Sequence, residues 1–115
     1  YLFGTCAGMI LLSSTKESKN LQPLGIMNFT VKRNAYGRQI KSFSDHLKLD
    51  FCDNTDFHAL FIRAPKISKF GKDIQILATY NKQPVMISDG RHFATSFHPE
   101  IGTDTRIYNY FIKKI

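Results

Sequence analysis

The sequence of 115 residues contains no long apolar run. Nowhere do hydrophobic residues approach the roughly 20 consecutive positions that a membrane-spanning helix needs. Its first residues also show no basic segment followed by a cleavage site. Cysteine is scarce, because only Cys6 and Cys52 are present and at most one disulfide could form. We therefore expect a cytoplasmic protein with reduced thiols that does not associate with a membrane.

Acidic residues are also few. The chain has 9 Asp and Glu against 16 Lys and Arg, which gives a formal net charge of +7. Basic and aromatic residues lie together in one stretch, as they do in some nucleic-acid-binding proteins: Lys32, Arg33, Tyr36, Arg38, Lys41 and Phe43. The other lysines are scattered, however, and no base-reading motif is present, so we predict no nucleic-acid partner.

Metal-ligand patterns are missing as well. The four histidines show no ligand spacing with cysteines or carboxylates: His46, His58, His92 and His98. A metal site is therefore not expected. Cys52 lies within an apolar stretch and is interpreted as a half-buried small hydrophobic residue.

What the sequence does contain is enough apolar residues for one packed domain, with 43% hydrophobic and 13% aromatic content. Alternating and apolar stretches predict strands at 24–33, 43–49, 57–63, 74–80, 84–88 and 92–97. The last two strands are joined by Asp89-Gly90, a good hairpin turn. Helices are predicted only after Cys6 and over 106–112. These predictions give many strands and only two helices, which is unusual for a parallel sheet that is covered by helices.

Cys6 is the candidate reactive group, because it lies at the centre of a segment rich in small residues. The segment Gly4-Thr5-Cys6-Ala7-Gly8 follows apolar residues and leads into another apolar stretch, which predicts a strand, a tight turn and a helix. Small flanking residues allow a strained backbone, and a helix N-terminus favours thiolate. A buried structural cysteine in a glycine-flanked strand is the alternative for this motif alone.

The predicted partner of Cys6 lies near the other end of the chain, in Ser96-Phe97-His98-Pro99-Glu100. A thiol nucleophile needs a base, and the base needs an anion to fix its tautomer. Pro99 disfavours helix at His98, so an extended segment is predicted in which His98 and Glu100 project to the same side. Taken alone, this tripeptide could be a loop leaving a strand; together with the Cys6 turn it predicts a catalytic triad.

The opening strand begins at residue 1 without a methionine. A strand that leads into such a turn normally lies in the middle of an α/β sheet, with a neighbour on each side. We therefore expect residues 1–115 to form part of a domain whose N-terminal strand-helix units are missing.

With these motifs assembled, the chain resembles the family of glutaminase subunits of pyridoxal 5′-phosphate synthase, which are class I, triad-type glutamine amidotransferases. The resemblance covers essentially all 115 residues. It rests on FGTCAG at 3–8, LG at 24–25, VKRNAYGRQ at 31–39, FIRAP at 61–65, LATYN at 77–81 and SFHPE at 96–100. It implies a flavodoxin-like three-layer α/β fold whose C-terminal part has a mixed sheet.

The resemblance also implies roles for single residues. Cys6 would be the nucleophile, His98 the general base and then acid, and Glu100 the group that orients His98. The amide of Ala7 would donate to the oxyanion. The family's substrate contacts fall on Arg33, Ile62 and Arg63. Without the resemblance, Arg33 would be interpreted as a surface charge and Arg63 as a residue at a strand end.

The implied activity is hydrolysis of L-glutamine to L-glutamate and ammonia, without a cofactor. Ammonia would pass to a (β/α)₈-barrel synthase subunit in a large hetero-oligomer. The family's glycine-rich loop, which gives a second oxyanion donor, is absent from this sequence, and losing one donor costs roughly a hundred- to a thousandfold in rate. We therefore expect weak turnover by the chain as given. A glutaminase serving another synthase and a non-catalytic binding subunit are the alternatives.

Overall fold

The computed structural model describes residues 1–16, 22–32, 42–52 and 56–115. Within these ranges the chain forms eight strands and two helices. In chain order they are β1 (Phe3–Thr5), α1 (Ala7–Leu12), β2 (Phe29–Lys32), β3 (Ser42–Leu47), β4 (Phe57–Ile62), β5 (Lys66–Phe70), β6 (Gln75–Tyr80), β7 (Gln83–Ser88), β8 (Phe93–Thr95) and α2 (Arg106–Lys114). None of the helices in these ranges is long and apolar enough to cross a membrane.

The central sheet has the strand order β1-β8-β7-β6 and is mixed. β1 runs parallel to β8, with Thr5 opposite Thr95, whereas β7 is antiparallel to both β8 and β6. Because parallel neighbours end at the same edge of a sheet, the residues that follow β1 and β8 leave the sheet side by side. This edge carries the candidate site.

Successive residues of β8 point to opposite faces of the sheet and belong to two separate cores. Phe93 packs into a cluster with Phe57 and Phe61 of β4 and Ile107 of α2. Ala94 packs into the other cluster, where the members come from α1, β2, β5 and β7: Met9, Leu12, Phe29, Val31, Ile67 and Ile87. The molecule therefore has three layers, with the β3-β4 pair and α2 on one side of the sheet and α1 with the β2-β5 pair on the other.

The predicted strand at 24–33 is much shorter in the structure, where β2 begins only at Phe29. The preceding residues give their backbone amides to the end of α1. Leu24 donates to the carbonyl of Leu11 at 2.7 Å, and Ile26 donates to the carbonyl of Leu12 at 3.1 Å. The last carbonyls of a helix have no N–H donor within the helix. The segment 24–27 satisfies them, so its amides are not available to a sheet.

The other predicted strands lie where the pattern placed them, within two residues at each end. The Asp89-Gly90 turn joins antiparallel β7 and β8 as predicted, and the amide of Asp89 donates to the carbonyl of His92 at 3.2 Å. The prediction missed β5, because Lys66–Phe70 carries only two apolar residues between stronger signals. Its helix prediction at 106–112 is confirmed by α2.

Candidate active site

Cys6 lies between β1 and α1 with φ at 53° and ψ at −106°, a conformation that L residues rarely adopt. Such a turn requires close approach of the backbone before and after it. A Cβ on Gly4 would lie 2.5 Å from the carbonyl oxygen of Gly8 and 2.9 Å from Cδ1 of Leu12. The absence of a side chain at Gly4 therefore allows α1 to fold back against β1, and the predicted strand, turn and helix are present.

Two other strands fix the position of Cys6. Its amide donates to the carbonyl of Thr95, at the end of β8, over 2.8 Å. Its Sγ lies 3.4 Å from the carbonyl oxygen of Ile62, at the end of β4, and can donate to it as a thiol. Cys6 is half-buried and forms no disulfide. The sulfur is thus presented at the edge of the sheet where β1 and β8 end.

His98 and Glu100 form the predicted pair, with Nδ1 of His98 at 2.5 Å from Oε2 of Glu100. The His98 side chain is 19% exposed and the Glu100 side chain 47%. Within the described ranges this is the one hydrogen bond of the imidazole. Because Nδ1 is engaged by the carboxylate, Nε2 remains available to accept or release a proton.

The prediction of an extended segment through Glu100 is wrong. The amide of Ile101 donates to the carbonyl of His98 at 3.3 Å, so residues 98–101 form a turn. Pro99 occupies its second position, where the fixed φ of proline favours a turn. His98 and Glu100 therefore meet across a turn rather than along one side of a strand.

Strand β4 relates His98 to Cys6. The amide of His98 donates to the carbonyl of Leu60 at 2.9 Å, and Sγ of Cys6 lies against the carbonyl of Ile62, two residues further along the same strand. Carbonyls two residues apart on a strand are separated by roughly 7 Å and point in the same direction. Both predicted catalytic residues therefore lie along the same side of β4.

The remaining predicted site residues fall partly at this edge. The amide of Ala7 is in the first turn of α1, where it has no acceptor within the helix. Ile62 contributes the carbonyl near Cys6. Arg63 is exposed and has a φ of 47°, a left-handed conformation that turns the chain directly after that carbonyl. Arg33, and with it most of the 31–39 motif, lies outside the described residues.

Thr95 is a residue of this edge that the sequence analysis missed. It is fully buried, and its hydroxyl donates to the carbonyl of Phe97 at 2.8 Å. The same residue accepts the amide of Cys6, as described above. The only sequence signal was a hydroxyl residue shortly before SFHPE, in a stretch otherwise interpreted as an apolar strand.

Tyr108 on α2 responds to the charge of Glu100. Burial raises the pKa of the Tyr108 phenol, and the negative charge of Glu100 raises it further. The phenol therefore stays protonated and neutral beside the carboxylate at physiological pH.

Cys52 lies away from this edge. Nη1 of Arg106 approaches its Sγ at 3.5 Å, and its half-buried position agrees with the sequence interpretation. Among residues 1–16, 22–32, 42–52 and 56–115, no group of three or more His, Cys, Asp and Glu side chains converges on a point where they could hold a metal ion.

A cysteine in a strained turn between a strand and a helix, at the carboxyl edge of a sheet, is the geometry of α/β proteins with a nucleophile elbow. Comparison with known proteins specifies the family. Residues 1–115 match the model of the SNO glutamine amidotransferase family, and the chain belongs to that family.

Individual relatives agree with this assignment. The chain is 44% identical to "Pyridoxal 5'-phosphate synthase subunit PdxT" of Thermotoga petrophila over 99% of its own length, and 46% identical to the subunit of the same name from Oenococcus oeni over 97%. A crystal structure of a glutamine amidotransferase superposes with a TM-score of 0.89 at 38% identity, over 98% of the chain. The predicted α/β fold class with a mixed sheet is thereby confirmed.

The chain spans about three fifths of the proteins it matches. It covers 61% of the Thermotoga petrophila subunit, 58% of the Oenococcus oeni subunit and 59% of the solved glutamine amidotransferase.

Proposed function

We propose that this chain carries the catalytic residues of a glutaminase, which hydrolyses L-glutamine to L-glutamate and ammonia. The observation that supports this proposal is the placement of Cys6 in a strained turn at the same sheet edge as the His98–Glu100 pair, both along the carbonyls of β4. Membership of a glutamine amidotransferase family indicates the substrate.

In the first half of the reaction, Nε2 of His98 takes the proton of the Cys6 thiol. The sulfur attacks the side-chain amide carbon of glutamine and forms a tetrahedral intermediate. The amide of Ala7 donates to its oxyanion. His98 then gives the proton to the leaving nitrogen, so that ammonia departs and a thioester between Cys6 and the glutamyl group remains.

In the second half, water replaces ammonia. His98 removes a proton from the water molecule, whose oxygen attacks the thioester carbonyl, and the second tetrahedral intermediate collapses to glutamate and the Cys6 thiol. Glu100 does not exchange protons in this scheme. It holds Nδ1 of His98 and stabilises the imidazolium that forms in both halves.

We assign substrate binding to Arg33, Ile62 and Arg63. The guanidinium of Arg33 would suit the α-carboxylate of glutamine, with the planar geometry that arginine offers to carboxylates. Ile62 supports this assignment by its contact with Cys6, since a substrate at the sulfur would lie against the end of β4. Arg63 follows directly and is exposed at the same edge.

The acceptor of the ammonia in this proposal is the (β/α)₈-barrel subunit of a pyridoxal 5′-phosphate synthase, in a cytoplasmic hetero-oligomer. The names of the Thermotoga petrophila and Oenococcus oeni relatives, which are subunits of that synthase, support this choice. The glutaminase itself would need no cofactor, because the triad supplies nucleophile, base and acid.

Glutamate release is the measurement that tests the proposal, with and without the barrel subunit. Cys6→Ser should abolish both hydrolysis and labelling by a glutamine-like diazoketone. Cys52→Ser is the matched control, because it removes the other thiol, and it should retain both. Hydrolysis that survives Cys6→Ser would refute the mechanism.

The same experiment separates the alternatives. A non-catalytic binding subunit would bind glutamine without labelling at Cys6. A glutaminase serving another pathway would be stimulated by a different synthase and not by the barrel subunit.

A further inference from the structure

Two histidines that are distant in sequence face each other on the outer surface of the β3-β4 pair. In the antiparallel register, His46 lies directly opposite His58. Their rings are stacked, with centroids 4.9 Å apart and planes inclined by 18°. Both residues are exposed.

The burial of the two strands shows which side they occupy. Leu47, Phe57 and Phe61 point into the core, whereas His46 and His58 belong to the alternate positions that face outwards. Within the described part of the chain, neither ring makes a hydrogen bond or an ion pair with another side chain. Their nitrogens are therefore available to an external ligand.

The other strand residues that share this outer face carry no charge: Ser42, Ser44, Leu60 and Ile62. Just beyond the strand ends the same alternation continues to Lys48 and Asp56, which are exposed and carry opposite charges. Neutral imidazole is the commonest protein ligand of transition metals, and it suits zinc, nickel and copper. Directly opposed residues on paired strands have Cβ atoms about 4.5–5.5 Å apart, a separation from which two imidazoles can turn towards one ion.

We propose that His46 and His58 form a two-ligand site for a divalent transition metal ion, with water completing its coordination. The site lies on the outer face of β3-β4 and does not involve Cys6, His98 or Glu100. It requires no glutaminase activity. Because the ion would join neighbouring strands, its binding should stabilise the β3-β4 pair, since a ligand that binds only the folded state favours it.

Cu²⁺ is the probe of choice, because divalent copper binds nitrogen sites most strongly among these metals. Both cysteines are first alkylated so that no thiol binds or reduces the ion. Titration should show one site, and the paramagnetic resonance spectrum should show coupling to two imidazole nitrogens. Hydrogen exchange of the β3 and β4 amides should slow when copper is added.

His46→Gln and His58→Gln should each lower the copper affinity. Mutation of a residue that only supports a metal ligand already lowers metal affinity by about 10–100-fold. Loss of a ligand itself should lower the copper affinity by at least that factor. His98→Gln is the control, because the His98–Glu100 pair is another place where copper could bind, and this variant should keep the full affinity and the same spectrum.

Several results would overturn the proposal. These are absence of copper uptake by the unsubstituted protein, retention of affinity by His46→Gln or His58→Gln, and loss of the site in His98→Gln. Circular dichroism verifies that each variant is folded, which is expected for substitutions at exposed positions.

Discussion

Thr95 and Cys6 are joined by a 2.8 Å hydrogen bond from the amide of Cys6 to the carbonyl of Thr95. The hydroxyl of the same threonine donates to the carbonyl of Phe97, directly before His98. One fully buried residue thus connects the turn that presents the thiol with the segment that presents the imidazole. We infer that Thr95 positions both.

Substitutions of Thr95 test this role. Thr95→Val keeps the shape but leaves the carbonyl of Phe97 without its donor, so we expect kcat to fall by tenfold to about a hundredfold, the effect of a misplacement near 1 Å. Thr95→Ser retains the hydroxyl and should retain most of the activity. The measurements are kcat, KM and the pH dependence of Cys6 alkylation. Equal losses in both variants would contradict the hydroxyl's role.

Glu100→Gln should reduce glutamine hydrolysis strongly and leave KM nearly unchanged. Glutamine can still hydrogen-bond His98, but it carries no charge to stabilise the imidazolium. In a serine protease the equivalent change costs about 10⁴-fold, and the partial exposure of Glu100 should make the loss smaller here. Asp73→Asn, an equal charge change at an exposed site, is the control. A variant with unaltered kcat would exclude an orienting role for Glu100.

Gly4→Ala should destabilise the protein because its methyl group would meet the carbonyl of Gly8 at 2.5 Å. Overpacking typically costs about 1–3 kcal/mol, and backbone cannot move as a flexible side chain can. Gly8→Ala is the matched control, since beyond its chain neighbours and the nearby backbone of α1 no atom lies within 4 Å of the added carbon. It lies within α1, so the alanine should be neutral or stabilising by up to about 1 kcal/mol. Urea unfolding measures both.

Stability should fall at acid pH through the carboxylate of Asp104. Hydrogen bonds from the Arg106 side chain lower the pKa of Asp104 from its usual value of 3.8. The unfolded state therefore binds the proton more readily, and the stabilisation is present above about pH 4 and lost as the pH falls through the lowered pKa.

Asp104→Asn should be less stable than the unsubstituted protein at pH 7, and the difference should shrink below pH 4. Unfolding free energies measured between pH 2 and 7 provide the comparison. A difference independent of pH would exclude the ion pair as its cause.

Lys82→Gly should stabilise the turn between β6 and β7. Asn81 and Lys82 have φ values of 49° and 66°, as the two central residues of a type I′ hairpin turn do. Glycine adopts this conformation without strain, but it loses more conformational freedom on folding than lysine does. The net gain in the free energy of unfolding is therefore expected to be on the order of 0.5–1 kcal/mol. Lys72→Gly, at a position without positive φ, should not stabilise. Thermal unfolding distinguishes the two variants.

Local patterns in the sequence predicted most elements because neighbouring residues decide them. Asp89-Gly90 specified a hairpin, and Gly4 and Gly8 around Cys6 specified a turn. The strand predicted from residue 24 failed for the opposite reason. Residues 24–27 have strand-like side chains, but their amides bind the carbonyls at the end of α1, which no local pattern reveals.

The sequence by itself determined which residues could do chemistry: a cysteine at a glycine-flanked turn, and a histidine with a carboxylate across a proline. Tertiary structure decided what they meet. The parallel register of β1 with β8 brings the Cys6 amide to Thr95, β4 aligns the Cys6 thiol and the His98 amide, and the register of β3 with β4 opposes His46 to His58. Pairing between distant strands depends on the packing of both sheet faces, and a pattern along one strand does not contain that information.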